Sequence, residues 1–406
     1  MARTLVLWCP NWPVSAAGFG PGDPAAVMDA GRVVAASGAA REAGVRVGRR
    51  RREAEGRCPG LVVVDRDPGG EARSFEPVVA AVAAITPRVE VTRPGLLALD
   101  ARGPARYLGG ESLLCQRVVA AAAGAMPARG WRQPSVGVAG GRFAAALAAR
   151  RGVVVPAGGD ARFLAPFPVS VLDRPDLADL LVRLGIRTLG DFASLPEPSV
   201  LARFGPGAGR AHLLARGLGG SVLRADPPAH PPVASAELDP PAERAETAAF
   251  VARTLAADLA TRLEERGLRC ARVRIEAETE HGETLSRRWR GDGDTLGVDA
   301  VAERLRWQLD GWLSGTTPEA APTAGIARLV VTADEVVPAG GRQLGLWGGI
   351  PDADRRAARG LDRLRGMLGP GAVLTAALAG GRGPGDRAAL VPWGDSPPAG
   401  RPAGLP

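Results

Sequence analysis

Apolar residues near the start of the chain fall in short runs, and each run ends on a residue that stops it. Residues 5–9 form a strand-length apolar run closed by Pro10 and Pro13, which cannot donate ladder hydrogen bonds. Residues 31–36 read as a second strand and 39–43 as a helix stopped by Gly44, after which Arg49, Arg50, Arg51 and Arg52 form a basic run. Residues 61–64 give another strand. Over 71–85, Phe75, Val78, Val79 and Val82 share one face at helical spacing. Strands at 89–91 and 96–100, interrupted by Arg93-Pro94-Gly95, precede a helix at 111–123, a strand at 135–139 and a helix at 142–151. This alternation predicts a mixed α+β layer fold.

The pattern then changes character. Residues 163–217 carry short helical stretches separated by glycine-rich turns, which predicts a separate small helical module. A proline-rich linker at 226–232 leads to a helix (243–267), two strands (270–278 and 283–290), a helix (298–312) and a strand (326–333), the order expected of a compact α+β domain. Beyond it stands Gln343-Leu344-Gly345-Leu346-Trp347-Gly348, a polar hook followed by aliphatics and an aromatic. Such a segment either docks as an extended peptide, with the glutamine setting register and apolar side chains filling a pocket, or packs as a last edge strand. A helix over 352–368, with Leu361, Leu364 and Leu368 at helical spacing, and a proline- and glycine-rich tail, read as partly disordered, complete the chain.

Composition narrows the chemistry. At 406 residues the chain is long enough for two to four domains, and 46% hydrophobic against 23% charged residues is a globular balance. All 51 basic residues are arginine and the net charge is +8. The absence of lysine excludes a P-loop lysine, a Schiff-base lysine and a kinase-type strand lysine. A GC-rich genome gives the same arginine bias, but the positive excess favours a polyanionic partner. Cys9, Cys58, Cys115 and Cys270 lie far apart, as do His212, His230 and His281, so neither a zinc site nor a Ser-His-Asp triad is expected. No leader-like or membrane-length apolar stretch is present, and a cytoplasmic protein without membrane contact is the expectation.

Read together, Ala40-Arg41-Glu42-Ala43-Gly44-Val45-Arg46-Val47-Gly48 and Leu184-Gly185-Ile186-Arg187-Thr188-Leu189-Gly190-Asp191-Phe192, in this order of modules, resemble the Y-family translesion DNA polymerases over residues 1 to about 345. The resemblance implies a right hand. A ferredoxin-like palm takes residues 1–20 and 75–162, small fingers 21–74, a helix-hairpin-helix-like thumb 163–225, a linker 226–232, an α+β little finger 233–340, a clamp-binding motif 341–350 and a helix with flexible tail 351–406. That chemistry needs carboxylates in two places, to hold the two metal ions that bridge the attacking hydroxyl and the triphosphate. Here the first place reads Pro10-Asn11-Trp12-Pro13 and the second Arg93-Pro94-Gly95-Leu96, so Pro10, Trp12, Gly95 and Leu96 occupy the family's catalytic positions. None of them is a hard oxygen ligand. The triphosphate clamp keeps Arg41, a residual nucleotide-binding candidate, while Gly38 replaces its tyrosine.

Such a chain is similar to the inactive, polymerase-like branch of this family that works in bacterial mutagenesis. That likeness implies a hub with no cofactor of its own. Its implied partners are the DNA sliding clamp, met through Gln343, Leu344, Leu346 and Trp347, an error-prone DnaE-type polymerase, a RecA-like protein and primer-template DNA. Backbone amides at Gly185, Ile186, Thr188, Gly205, Gly207 and Gly209 are phosphate-contact candidates, with helix packing as the alternative. Arg272 and Arg274, with Arg287, Arg288 and Arg290 on the next strand, are candidates for the duplex backbone, with cross-strand ion pairing as the alternative. A divergent active polymerase would instead have to recruit magnesium through Asp65, Asp67, Glu90 or Asp100.

Overall fold

The apolar run at the start becomes β1 (Thr4–Trp8), with Leu5, Val6 and Leu7 buried. The computed structural model describes residues 3–126, 133–218, 231–291, 295–314, 322–339, 361, 364, 372–378 and 388–392. Residues 1–339 form one compact unit and residues 340–406 a second. After β1 comes α1 (Trp12–Ala16), opened by Asn11 in the left-handed region at φ 53°. A small three-stranded lobe follows, built from β2 (Ala25–Asp29), β3 (Arg32–Ala36), α2 (Gly38–Glu42), α3 (Arg51–Arg57) and β4 (Val62–Asp65). Its central strand β2 runs antiparallel to β3 and parallel to β4.

Next are α4 (Pro68–Ala83), the hairpin β5 (Val89–Arg93) and β6 (Leu96–Asp100), α5 (Arg102–Leu108), α6 (Glu111–Gly124), β7 (Ser135–Ala139) and α7 (Arg142–Arg151). β1 lies between β6 and β7, antiparallel to both. α7 presses on β7 so closely that a Cβ at Gly137 would sit 2.0 Å from the Ala149 nitrogen. The helical module comprises α8 (Asp160–Leu164), a single 3₁₀ turn (Val169–Leu172), α9 (Pro175–Arg183), α10 (Leu189–Ala193), α11 (Glu197–Phe204) and α12 (Pro206–Ala215). Leu181, Leu189, Phe192 and Val200 make its core, which continues through α7 to Val6 and Ala98 on one face of the sheet.

The last part of this unit contains β8 (Val233–Ala242), α13 (Ala245–Glu264), β9 (Leu268–Thr279), β10 (Thr284–Arg290), α14 (Val298–Leu313) and β11 (Ile326–Pro338). It is not a free-standing domain, as the linker suggested. β10 pairs in parallel with β5, Arg288 opposite Glu90 and Trp289 opposite Val91, so eight strands run continuously in the order β7-β1-β6-β5-β10-β9-β11-β8. One core follows from that seam, because Leu5, Leu7, Phe75 and Leu97 join Val273, Ile275, Trp289 and Leu305 in a single buried cluster. α4 meets α14 across it, with Arg73 Nη2 3.4 Å from Asp310 Oδ2.

Three elements depart from the sequence expectation. β8 lies in a stretch holding Pro240 and Pro241, yet it is an edge strand, where a missing donor breaks no interior ladder. β2 is alanine-rich and takes its extended form from burial between two partners. The arginine run is the entry and first turn of α3, and Arg51 pairs with Glu55 at i,i+4. In the second unit, β12 (Leu374–Leu378) and β13 (Ala388–Pro392) pair antiparallel within the tail read as Pro/Gly-rich. The helix expected over 352–368 falls outside the described residues except for Leu361 and Leu364, which are helical. The docking peptide lies wholly outside them.

Candidate functional site

The end of β1 and the β5–β6 turn, separated by more than eighty residues, meet in space. Trp8 stands opposite Leu96, and the Cys9 amide donates to the Gly95 carbonyl at 2.8 Å. Gly95 adopts φ +83°, and a Cβ there would lie 2.5 Å from the Trp12 Cβ and 3.3 Å from the Cys9 carbonyl oxygen. Trp12 is buried, its indole N–H donates to the Glu71 carbonyl at 2.8 Å, and its ring meets Phe75 edge-on at 5.0 Å. Leu96 and Trp8 pack toward the core shared with α7. Burial pushes the Cys9 thiol up to about 12, so it is a protonated packing group.

These residues do not fit a pair of magnesium ions. Pro10, Trp12, Gly95 and Leu96 bring no carboxylate to the junction, and an indole and a close backbone approach fill the space between the segments. Among the described residues no group of three or more His, Cys, Asp or Glu side chains is placed to share a cation. The alternative acids are scattered. Asp65 ends β4, exposed; Asp67 caps α4 by accepting from the Gly70 amide at 2.9 Å; and Asp100 pairs with Arg102 at 3.0 Å.

Glu90 is committed elsewhere. Its carboxylate, 9% exposed, takes Arg290 Nε at 2.5 Å, Arg272 Nη1 at 3.1 Å and Arg142 Nη2. Burial alone would raise its pKa; the charges of Arg142, Arg290 and Arg272 outweigh it and bring the carboxyl down to about 2. Glu335 pairs with both Arg290 and Arg272, and Asp334 takes Arg272 at 2.9 Å, Arg288 at 3.2 Å and Arg274 at 3.6 Å. Arg274 also pairs with Glu276 at 3.0 Å.

The arginine face expected to follow a duplex is therefore an ion-paired seam. Arg272, Arg274, Arg288 and Arg290 share one face of β9 and β10, and every one of them meets a carboxylate. Arg287 points to the other face, where it pairs with Glu76 of α4. There Glu76 also accepts from Gln308 Nε2 at 3.1 Å, and Gln308 accepts from the Trp289 indole at 2.8 Å. Both faces of the β5–β10 junction are thus closed by part-buried polar networks. Charge alternation along β9 signalled pairing, but the partners Glu90 and Glu76 come from some two hundred residues away and were not legible.

The glycine-rich turns of the helical module are likewise self-satisfied. The Gly185 amide donates to the Val182 carbonyl at 3.0 Å, Ile186 to Leu181 at 2.9 Å, and Thr188 to Asp191 Oδ2 at 3.1 Å, inside a reciprocal capping box. Gly205 donates to Leu201 at 3.0 Å and Gly209 to Gly205 at 3.4 Å, while the Gly207 carbonyl accepts from Arg174 at 2.5 Å. Gly209 lets Leu201 approach to 2.5 Å of where its Cβ would be, so packing explains that glycine. The amides of Gly185, Ile186, Thr188, Gly205 and Gly209, expected to cradle a phosphate, are thus taken up by internal bonds. Arg41 lies in the last turn of α2, exposed, its Nε donating to the Ser37 carbonyl at 3.2 Å.

Residues 20–150, from just before β2 to the end of α7, match the family model described as the impB/mucB/samB family. No curated relative matches the chain. Among solved structures, DinB from Sulfolobus solfataricus is 16% identical over 82% of this chain and 99% of its own, with a TM-score of 0.46. The insertion ternary complex of Dbh DNA polymerase is 15% identical over the same shares, also at 0.46. A chimera of Dbh and Dpo4 stands at 15% and 0.43, again over 82% and 99%. Among the described residues, no helix is long and apolar enough to cross a membrane.

Proposed function

We propose that this chain is a polymerase-like scaffold without phosphoryl-transfer activity, of the ImuB type, serving damage tolerance and mutagenesis. The observation that carries the reading is the junction of β1 with the β5–β6 turn, where a buried indole and a glycine at positive φ stand in place of acidic side chains. Two-metal catalysis depends on anionic oxygens held at that junction, and Asn11 supplies only a neutral amide. The match of residues 20–150 to a polymerase-associated family supports the ancestry.

On this reading the chain holds the sliding clamp through Gln343, Leu344, Leu346 and Trp347, and brings in a DnaE-type error-prone polymerase and a RecA-like partner of the ImuA type. It also touches primer-template DNA, weakly and with strong dependence on salt, because its exposed arginine charge recognises phosphates and not base sequence. Replacing all four peptide residues by alanine in the full chain should lower clamp affinity at least tenfold, as loss of the apolar anchors of a strand-like peptide would. A clamp titration by surface plasmon resonance measures this. Unchanged affinity would remove the docking role and leave the edge-strand alternative.

A further inference from the structure

Arg272, Arg274, Arg288 and Arg290 are spent on carboxylates, whereas the arginines around one cavity of the small lobe are not fully balanced. A cavity of about 170 Å³ opens between the end of α2 and α3, lined by Gly44, Arg46, Arg49, Glu53, Ala54 and Arg57. The sequence explains the opening. Gly44, at φ +98°, turns the chain out of α2 without a side chain, and the Arg57 Cδ lies 3.8 Å from where its Cβ would be. Buried Val45 and Ala54 pin the two segments together at their base.

The charge in this cavity is unbalanced. Arg46 is held by donating Nη1 to the Arg41 and Val45 carbonyls, neutral acceptors that leave its charge intact. Arg49 reaches Glu53 at 2.9 Å, and both are well exposed. Among the described residues no carboxylate lies within ion-pair distance of Arg46 or Arg57. Three guanidinium groups against one carboxylate leave a formal excess of two positive charges on the rim. Exposed Arg50 and Arg52 extend that charge beyond the cavity, whereas Arg51 is paired with Glu55.

We propose that this cavity seats a phosphate of a nucleic-acid strand, with Arg46, Arg49 and Arg57 as its donors and Arg50 and Arg52 following the adjoining phosphates. Guanidinium forks match phosphate oxygens in pairs, and three of them around one cavity suit a phosphate group. A free nucleotide offers the same chemistry. The positive charge continuing outside the cavity selects the polymer, because a single triphosphate leaves Arg50 and Arg52 without a ligand.

This inference rests on the DNA-contact part of the function proposed above, and the test separates the two. Fluorescence anisotropy of a labelled dT20 oligonucleotide is followed with the full chain over a salt series, with pyrophosphate and dATP as competitors. Arg46→Gln with Arg57→Gln should weaken binding about tenfold near 0.1 M salt and lower the log–log salt slope by about 1.4, roughly 0.7 for each lost phosphate contact. Because Arg46 also secures the end of α2, Glu53→Gln serves as the second variant. It removes the competing carboxylate and should tighten binding about threefold. If wild-type protein binds and both variants match it, the cavity is not the site, although DNA contact stands. If wild-type protein does not bind at all, DNA contact itself falls. Displacement of dT20 by micromolar dATP or pyrophosphate would overturn the polymer assignment in favour of a free nucleotide.

Discussion

Glu90→Ala is expected to destabilise the large unit by about 3–5 kcal/mol at pH 7, the range found when one partner is removed from a buried ion pair. The loss exceeds that of an ordinary salt bridge because three arginines depend on this one carboxylate. Arg142 reaches it from α7, Arg272 from β9 and Arg290 from β10, and without it their charges face one another across a half-buried seam. Glu335 alone then remains for Arg290, and Glu335 with Asp334 for Arg272. The β5–β10 pairing spans just two residue pairs, so the backbone alone holds the junction poorly. Amide exchange should therefore rise first along residues 89–93 and 286–290.

The same group sets an acid limit. Its folded pKa, about 2, lies below its ordinary value of 4.5. A depressed carboxyl stabilises the folded state above the unfolded pKa, and that stabilisation is lost as pH falls toward the folded one. Wild-type protein should thus lose about 3 kcal/mol between pH 4.5 and 2 that the alanine variant lacks, at 1.36 kcal/mol per unit. Denaturant unfolding across this window checks both statements. A variant within 0.5 kcal/mol of wild type, with the same acid slope, would mean that the seam is held by packing alone.

Gly95→Asp places one carboxylate at the junction of β1 with the β5–β6 turn, and the structure predicts damage instead of activity. The backbone is left-handed there, which costs a non-glycine residue about 1 kcal/mol, and the new Cβ enters the space of the Trp12 Cβ. Overpacking adds about 1–3 kcal/mol. Trp12→Ala alone should cost about 3–5 kcal/mol, since it empties a fully buried indole site and removes the contact with Phe75. Gly95→Asp combined with Trp12→Gly, which also removes the Cβ the aspartate would meet, should cost less than the sum of those two single changes. A double-mutant cycle by chemical denaturation reads this coupling. Strict additivity would show that Trp12 and Gly95 do not occupy each other's space.

Local pattern made much of this molecule legible. β1, β5, β6, β7 and the helices α4, α6, α7, α13 and α14 follow from runs and periodicities, and the letters show that Pro10, Trp12, Gly95 and Leu96 carry no carboxylate, while their assignment to catalytic positions comes from the resemblance. Partnership was not. An arginine every second residue looks the same whether it faces solvent or Glu90, and the deciding carboxylates sit on α4 and β5, far away in sequence. Glycine-rich turns mislead in a similar way. Gly185 and Thr188 carry the composition of a phosphate loop, but a capping aspartate three residues on consumes the donor. The cavity beside α3 is legible only after folding, since it needs Gly44, Arg46 and Arg57 brought together across a turn.

The proposed absence of a catalytic metal pair at the junction of β1 with the β5–β6 turn is tested most directly by primer extension. Full-length protein with primer-template, all four dNTPs and either magnesium or manganese should extend no primer above the level of a Trp12→Ala control. Steady incorporation that disappears when Asp65, Asp67, Glu90 or Asp100 is changed to its amide, in a variant that still folds, would contradict it.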